Sequence, residues 1–183
     1  MIAVLNEYKG TFEVTKEFYE VFKECQNYDP SRHFMTCVYF DGEQQTFVAT
    51  DGKRMVYHKD GNFPSTFQGQ YELAKIGKKY KLIPKEEDGQ FPNWMRVVPD
   101  LEKYHCVKIA DDYTCGLSGK LPEDSMLICE IILETKAIFN IEFLTKVLKH
   151  VPSFEIQQHS EDGKALFFDI SEVTKYIVMP MDK

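Results

Sequence analysis

Two stretches of the chain carry apolar residues at helical spacing, and most of the remainder breaks into short runs with the period and composition of strands. Phe18, Val21, Phe22 and Cys25 fall at i, i+3, i+4 and i+7 behind Thr15, a residue type that caps helix N-termini. Leu144, Val147, Leu148 and Val151 repeat that spacing behind Asn140, and Pro152 follows. Each stretch predicts a helix with one buried stripe. Runs rich in β-branched and aromatic residues predict strands over 36–40, 45–50, 54–58, 71–76, 80–83, 104–109, 126–133, 154–158, 165–170 and 175–179. Asp41-Gly42, Gly77-Lys78 and Asp162-Gly163 supply tight-turn signals between them.

The two helical stretches sit in matching contexts. Thr11 to Val14, helix, strand, Asp-Gly turn, strand, strand is echoed by Ala137 to Phe139, helix, strand, Asp-Gly turn, strand, strand. The pattern predicts an α+β chain of repeated βαβββ units with antiparallel sheets and two helices. Residues 59–133 join the units and read as β-rich, with a Gly/Pro/Ser-containing stretch from Gly61 to Gly69.

At 183 residues, 43% hydrophobic and 14% aromatic, the chain is long enough for a real core. No run approaches the roughly 18 apolar residues of a membrane span, and the start lacks the basic and apolar regions of a signal peptide, so a soluble cytoplasmic protein is expected. Five cysteines without a CxxC pair argue for reduced, mostly core thiols rather than a disulfide framework or zinc knuckle. The net charge of −7 weighs against a generic nucleic-acid surface. The five histidines form no HExxH-type spacing, and there is no GxSxG elbow or glycine-rich phosphate loop. Asp111-Asp112 and Glu86-Glu87-Asp88 are better explained as turns and solvated faces than as metal ligands. No enzyme, cofactor or metal is expected.

Three segments stand out. Phe47-Val48-Ala49 runs into Thr50-Asp51-Gly52-Lys53-Arg54-Met55, a hairpin corner by its Asp-Gly pair. Phe91-Pro92-Asn93-Trp94-Met95-Arg96-Val97-Val98-Pro99 holds the only tryptophan between two prolines and reads as an extended segment packing an aromatic on the core. Tyr176 to Met179 reads as a strand stopped by Pro180, with Met181 beyond. Strand alternation predicts Tyr176 and Val178 facing the sheet and Ile177, Met179 and Met181 facing a groove.

In this order the three resemble the VATDGHRL, FPDYRRVLP and YVVMPM segments of the bacterial sliding clamp, the β subunit of the replicative DNA polymerase. The resemblance implies a DNA-clamp-like fold, with 1–99 matching a shortened middle domain and 100–183 a shortened last domain. It also implies a cleft that captures linear peptide motifs of polymerase or clamp-loader partners, lined by Thr50, Gly52, Lys53, Arg54, Met55, Pro92, Arg96, Val97, Ile177, Met179, Pro180 and Met181. Arg54 and Arg96 would then serve the rim, and the methionines an adaptable hollow.

Against that resemblance the chain is about half a family subunit's length, is expected to match only the middle and last domains, and offers two helices where each clamp domain has two. Family helices line the hole around DNA, yet the first helix here carries Lys16, Glu17, Glu20, Lys23 and Glu24, a net negative set. Candidate phosphate contacts are Lys75, Lys78, Lys79 and Lys81 of the central hairpin, with Lys146 and Lys149 of the second helix. The expectation is a clamp-like processivity and peptide-docking protein with no membrane contact, either a trimeric homo-oligomeric ring on double-stranded DNA or a monomer. The alternative is a stand-alone peptide-binding module or clamp decoy that does not encircle DNA.

Overall fold

A computed structural model describes residues 3–5, 10–27, 29–86, 89–98, 104–108, 139–150, 155–159 and 165–181. The expected strand over 126–133 lies outside them. The chain divides into two compact units, Met1–Trp94 and Met95–Lys183.

Unit 1 is an antiparallel sheet built from β1 (Ala3–Leu5), β2 (Phe12–Val14), β3 (Val38–Asp41), β4 (Thr46–Thr50), β5 (Arg54–Lys59), β6 (Gly69–Ile76) and β7 (Lys79–Pro84), in the order β1-β2-β7-β6-β3-β4-β5. Helix α1 (Lys16–Glu24) connects β2 to β3. Thr15 caps it as expected, its Oγ1 accepting from the Phe18 amide at 3.1 Å. Phe18, Val21, Phe22 and Cys25 are all buried, which confirms the predicted stripe.

Sheet register decides what each face does. Phe12, Phe40, Phe47 and Leu82 share one face, set by the pairs Phe12↔Leu82 and Phe40↔Phe47. Helix α1 packs there: the Phe18 ring meets Phe47 edge-on at 5.7 Å and stacks on Phe22 at 4.0 Å. Phe63 joins from the β5–β6 connection, within 4.8 Å of Phe12, Phe40 and Phe47 by ring centroid. The Gly61 to Gly69 stretch therefore feeds the core, and its middle forms a short 3-10 turn at Ser65–Phe67.

The opposite face carries Tyr39, Asp41, Val48, Thr50, Met55, Tyr57 and Gln70, by the pairs Tyr39↔Val48, Val48↔Tyr57, Thr50↔Met55 and Tyr39↔Gln70. Residues 89–94 lie across it as a strap. The Gln70 amide donates to the Gly89 carbonyl at 2.8 Å, Phe91 stacks on Tyr39 at 4.9 Å, and the Trp94 indole donates to Asp41 Oδ2 at 3.0 Å. With both faces covered, β4 is buried at every position, the usual cause of an uninterrupted apolar run such as Phe47-Val48-Ala49. The 91–99 segment departs from its extended expectation: Trp94–Val97 forms a 3-10 turn, which lets Trp94 reach Asp41.

The β6–β7 hairpin turns at Gly77-Lys78 as predicted, closed by the Ile76↔Lys79 pair. Gly77 has φ 61°, and Lys78 does not share its positive φ. Glycine first in a two-residue loop is the type II′ arrangement that matches strand twist.

Unit 2 repeats the helix–strand–strand–strand order. Helix α2 (Ile141–Leu148) is followed by β9 (Glu155–His159), β10 (Leu166–Asp169) and β11 (Thr174–Val178), an antiparallel meander that β8 (Tyr104–Lys108) extends next to β9. Asn140 caps α2 by accepting from the Glu142 amide at 2.8 Å, and Leu144 and Val147 are buried. The fold class is α+β with antiparallel sheets, and two α-helices stand among the described residues.

Candidate functional site

The β4–β5 corner is held by its own polar side chains. Asp51 Oδ1 accepts from the Lys53 and Arg54 amides, both at 2.9 Å, and Oδ2 takes the Arg54 Nε–H at 2.8 Å. Thr50 Oγ1 donates to the Arg54 carbonyl at 2.8 Å and accepts from the Gly52 amide at 3.0 Å. Gly52 turns the chain at φ 86°, a conformation that a Cβ disfavours. The 27–35 segment buttresses this corner. A Cβ added at Gly52 would lie 3.3 Å from Met35 Cε and 3.4 Å from Arg32 Nη1, and Asn27 Nδ2 reaches the Asp51 carbonyl at 3.5 Å.

These bonds revise the roles expected of two residues. Arg54 is only 7% exposed and turns inward to Asp51, so it does not stand at a rim. Thr50 is likewise buried, its hydroxyl engaged at both donor and acceptor. Both are corner-building groups. Gly52 and Lys53 are exposed, and Met55 is buried at the start of β5. Pro92 is half-buried in the strap, on the same sheet face of unit 1 as Thr50 and Met55.

Among the remaining candidates, Arg96 and Val97 are exposed at the end of the 3-10 turn. On β11 alternation does not translate into exposure. Tyr176, Ile177 and Val178 are all buried, Ile177 to 1% exposure, because both faces of that strand are covered. Beyond it Met179 and Pro180 are half-buried and Met181 is 50% exposed. The apolar surface available in this segment therefore begins at Met179, not Ile177.

The lysine candidates are dispersed. Lys79 and Lys81 lie on the strap-bearing face of unit 1, away from α1, since Lys81 pairs with Ala74 while Leu82 pairs with Leu73 on the helix-covered face. Lys79 Nζ is bound to Glu13 Oε1 at 2.6 Å. Lys75 Nζ stands 5.5 Å from the Tyr80 ring centroid, and Lys78 is exposed at the turn beside Ile76. On α2, Lys146 is half-buried and Lys149 is exposed. The outward residues of α1 include Lys16, Glu17 and Glu20, with Lys16 paired to Glu20 at 3.4 Å.

Buried thiols and rings complete the local chemistry. Cys25 and Cys37 are buried thiols outside any disulfide. Burial pushes the Cys37 thiol up to about 11, against the opposing pull of Lys85, while its Sγ points to the Phe34 carbonyl at 3.2 Å. Such a thiol is unreactive at neutral pH. Burial also lowers the His58 pKa, with the Asp60 carboxylate pulling the other way; the imidazole meets the Phe18 ring edge-on at 5.5 Å. Among the described residues no group of three or more His, Cys, Asp or Glu could hold a metal ion, and no helix is long and apolar enough to cross a membrane.

No family model and no curated protein matches the sequence. The fold does match solved structures. The DNA polymerase III β subunit of Thermotoga maritima superposes with a TM-score of 0.63 at 17% identity, over 99% of this chain and 68% of that one. The sliding clamp of Bartonella birtlesii, solved with griselimycin, gives 0.66 at 12% identity with the same coverages. The β subunit of Borrelia burgdorferi, solved with a natural product, gives 0.59 at 13%, over 98% and 66%. The chain thus has the sliding-clamp fold and spans about two thirds of the clamps it matches.

Proposed function

We propose that this chain is a reduced sliding-clamp-like protein that docks short linear peptides of polymerase or clamp-loader partners. The observation that carries the reading is the fold match over nearly the whole chain, spanning about two thirds of the clamps it matches. Two clamp-like domains, a shortened middle one and a shortened last one, account for that span. The docking residues of unit 1 are Gly52 and Lys53 at the corner and Pro92 in the strap; those of unit 2 are Arg96 and Val97 after Trp94, and Met179, Pro180 and Met181 at the closing segment. Thr50 and Arg54 hold the corner in shape, and Met55 and Ile177 form apolar backing.

Magnitudes fit a reversible docking site. Burying a Leu and a Phe anchor contributes about 3–6 kcal/mol, less than the ~8 kcal/mol of a micromolar complex. Hydrogen bonds from Arg96, Lys53 and exposed backbone supply the remainder and offset ordering costs. A fluorescein-labelled peptide ending in Leu-Phe is expected to bind the intact chain at micromolar concentration by anisotropy. A variant lacking 179–181 loses that binding while keeping its circular dichroism. An intact chain that binds no such peptide contradicts the reading.

In a ring, three chains of two domains would supply six domains through heterologous strand-edge contacts closed by rotation. Lys146 and Lys149, with Lys75, Lys78, Lys79 and Lys81, would then meet phosphates. A specific observation favours the second reading, a docking module or decoy that does not encircle DNA. The exposed face of α1 carries Glu17 and Glu20 with a self-paired Lys16, and Lys79 and Lys81 lie on the opposite side of that sheet. Light scattering separates the two: a trimer with salt-sensitive DNA association supports the ring, and a strict monomer supports the module.

A further inference from the structure

The tip of the β6–β7 hairpin projects into solvent. Lys75, Ile76, Gly77, Lys78 and Lys79 are exposed one after another, and a Cβ added at Gly77 would meet no atom within 4 Å. The neighbouring strands stop short of it: β3 pairs no further than Val38↔Tyr71, and β2 no further than Val14↔Tyr80. The hairpin holds four lysines, Lys75, Lys78, Lys79 and Lys81, against one acid, Glu72, which pairs with Ile83 away from the tip.

These cations stand on both faces of the ribbon. Lys75 pairs with Tyr80 on the α1 side, where its Nζ lies 5.5 Å from the Tyr80 ring centroid and Tyr80 meets Tyr19 of α1 at 4.8 Å. Lys79 and Lys81 share the other face with Ile76, and Lys78 sits in the turn. Glu13 neutralises Lys79, whereas Lys78 and Lys81 make no ion pair among the described residues. On the exposed side of α1, Lys16, Glu17 and Glu20 add one net negative charge, so the balance around the hairpin stays positive.

We propose that this tip enters a groove of duplex DNA as a two-stranded ribbon, with Lys75 reaching the phosphates of one wall, Lys81 those of the other, and Lys78 a third at the turn. The major groove, about 12 Å wide, admits a β-ribbon and offers anions to both of its faces at once. A peptide bearing carboxylates lies along one face or edge and leaves the other cations unmet. Ile76, at 53% exposure, is too little apolar surface to hold a bilayer, but beside a base edge it can contact a thymine methyl. This grip goes beyond both readings of function, because a single chain suffices and neither a ring nor the peptide site takes part.

The test titrates a fluorescein-labelled blunt duplex of mixed sequence with the full chain across a range of salt, read by anisotropy. Three phosphate contacts predict a slope of about −2.7 in log K against log salt, which is about fortyfold weaker binding at 200 mM than at 50 mM. Lys75→Ala and Lys81→Ala, on opposite faces, are each expected to cut the slope by about 0.9. Lys75→Arg keeps it, and Lys59→Ala, at an exposed lysine ending β5, leaves it unchanged. Loss in only one of Lys75→Ala and Lys81→Ala means that DNA lies flat against one face, which overturns the inference and leaves the ring reading standing. An equal loss in Lys59→Ala means generic attraction and overturns it too. So does a wild type that binds no duplex, or that prefers a Glu-rich peptide or phosphatidylserine vesicles. Peptide docking is untouched by these outcomes and is decided by the Leu-Phe titration.

Discussion

At the Thr50–Met55 corner polar side chains turn inward. Asp51, Thr50 and Arg54 bind one another and the corner backbone, leaving Gly52 and Lys53 as the surface. From Thr174 to Met181 the reverse holds: the buried apolar run Tyr176-Ile177-Val178 gives way to half-buried Met179 and Pro180 and exposed Met181. The first region is closed by short hydrogen-bonded rings. The second ends in flexible, polarisable thioether chains that can reshape around a ligand. As docking residues the first would offer a fixed polar corner and the second an adaptable apolar end, so mutations in the two should fail differently.

The largest effect is expected at the corner. Asp51→Ala removes the carboxylate from a buried arginine together with the oxygen that accepts from two backbone amides, and breaking such a pair costs about 3–5 kcal/mol. The urea midpoint of the transition that reports unit 1 should fall accordingly. A change under 1 kcal/mol would mean that the corner is not held as described. Gly52→Ala is next, at about 1–2 kcal/mol, because φ 86° is strained for alanine and the new methyl crowds Met35 and Arg32.

Acid provides a smaller, graded probe of unit 1. His58 has a folded pKa below its unfolded value because burial disfavours the imidazolium. The unfolded chain therefore binds more protons below pH ~6.5. The His58 contribution is complete above that pH and is lost as pH falls toward the lowered folded value. Denaturation midpoints at pH 7.5 and 5.5 should differ in wild type, and the difference should shrink in His58→Phe. The smallest effect on stability belongs to the closing segment: Met181→Ala should stay within about 0.5 kcal/mol, since half of that residue faces solvent.

Much of this was legible in the sequence. Both helices, their Thr15 and Asn140 caps and the Gly77 hairpin turn follow from spacing and turn chemistry, and the structure bears them out. The Asp-Gly corner was legible as a turn, but the direction of Arg54 was not. A basic side chain three residues after an aspartate can face either way, and burial of the corner decided it. The burial of Ile177 was not legible from alternation, which assumes one solvated face. The apolar run Tyr176-Ile177-Val178 was the available signal, as Phe47-Val48-Ala49 is for β4. Arg32 left no signal of its own. Its position depends on a kinked turn brought to Gly52 by long-range packing, which no local pattern encodes.

The central claim is the proposed peptide docking. Its most direct test is the anisotropy titration of a labelled Leu-Phe-ending peptide against wild type, Met181→Ala and Asp51→Ala. The account predicts micromolar binding by wild type, at least several-fold weaker binding by Met181→Ala with stability unchanged, and lost binding by Asp51→Ala with lowered stability. Equal binding by all three, or none by wild type, would contradict it.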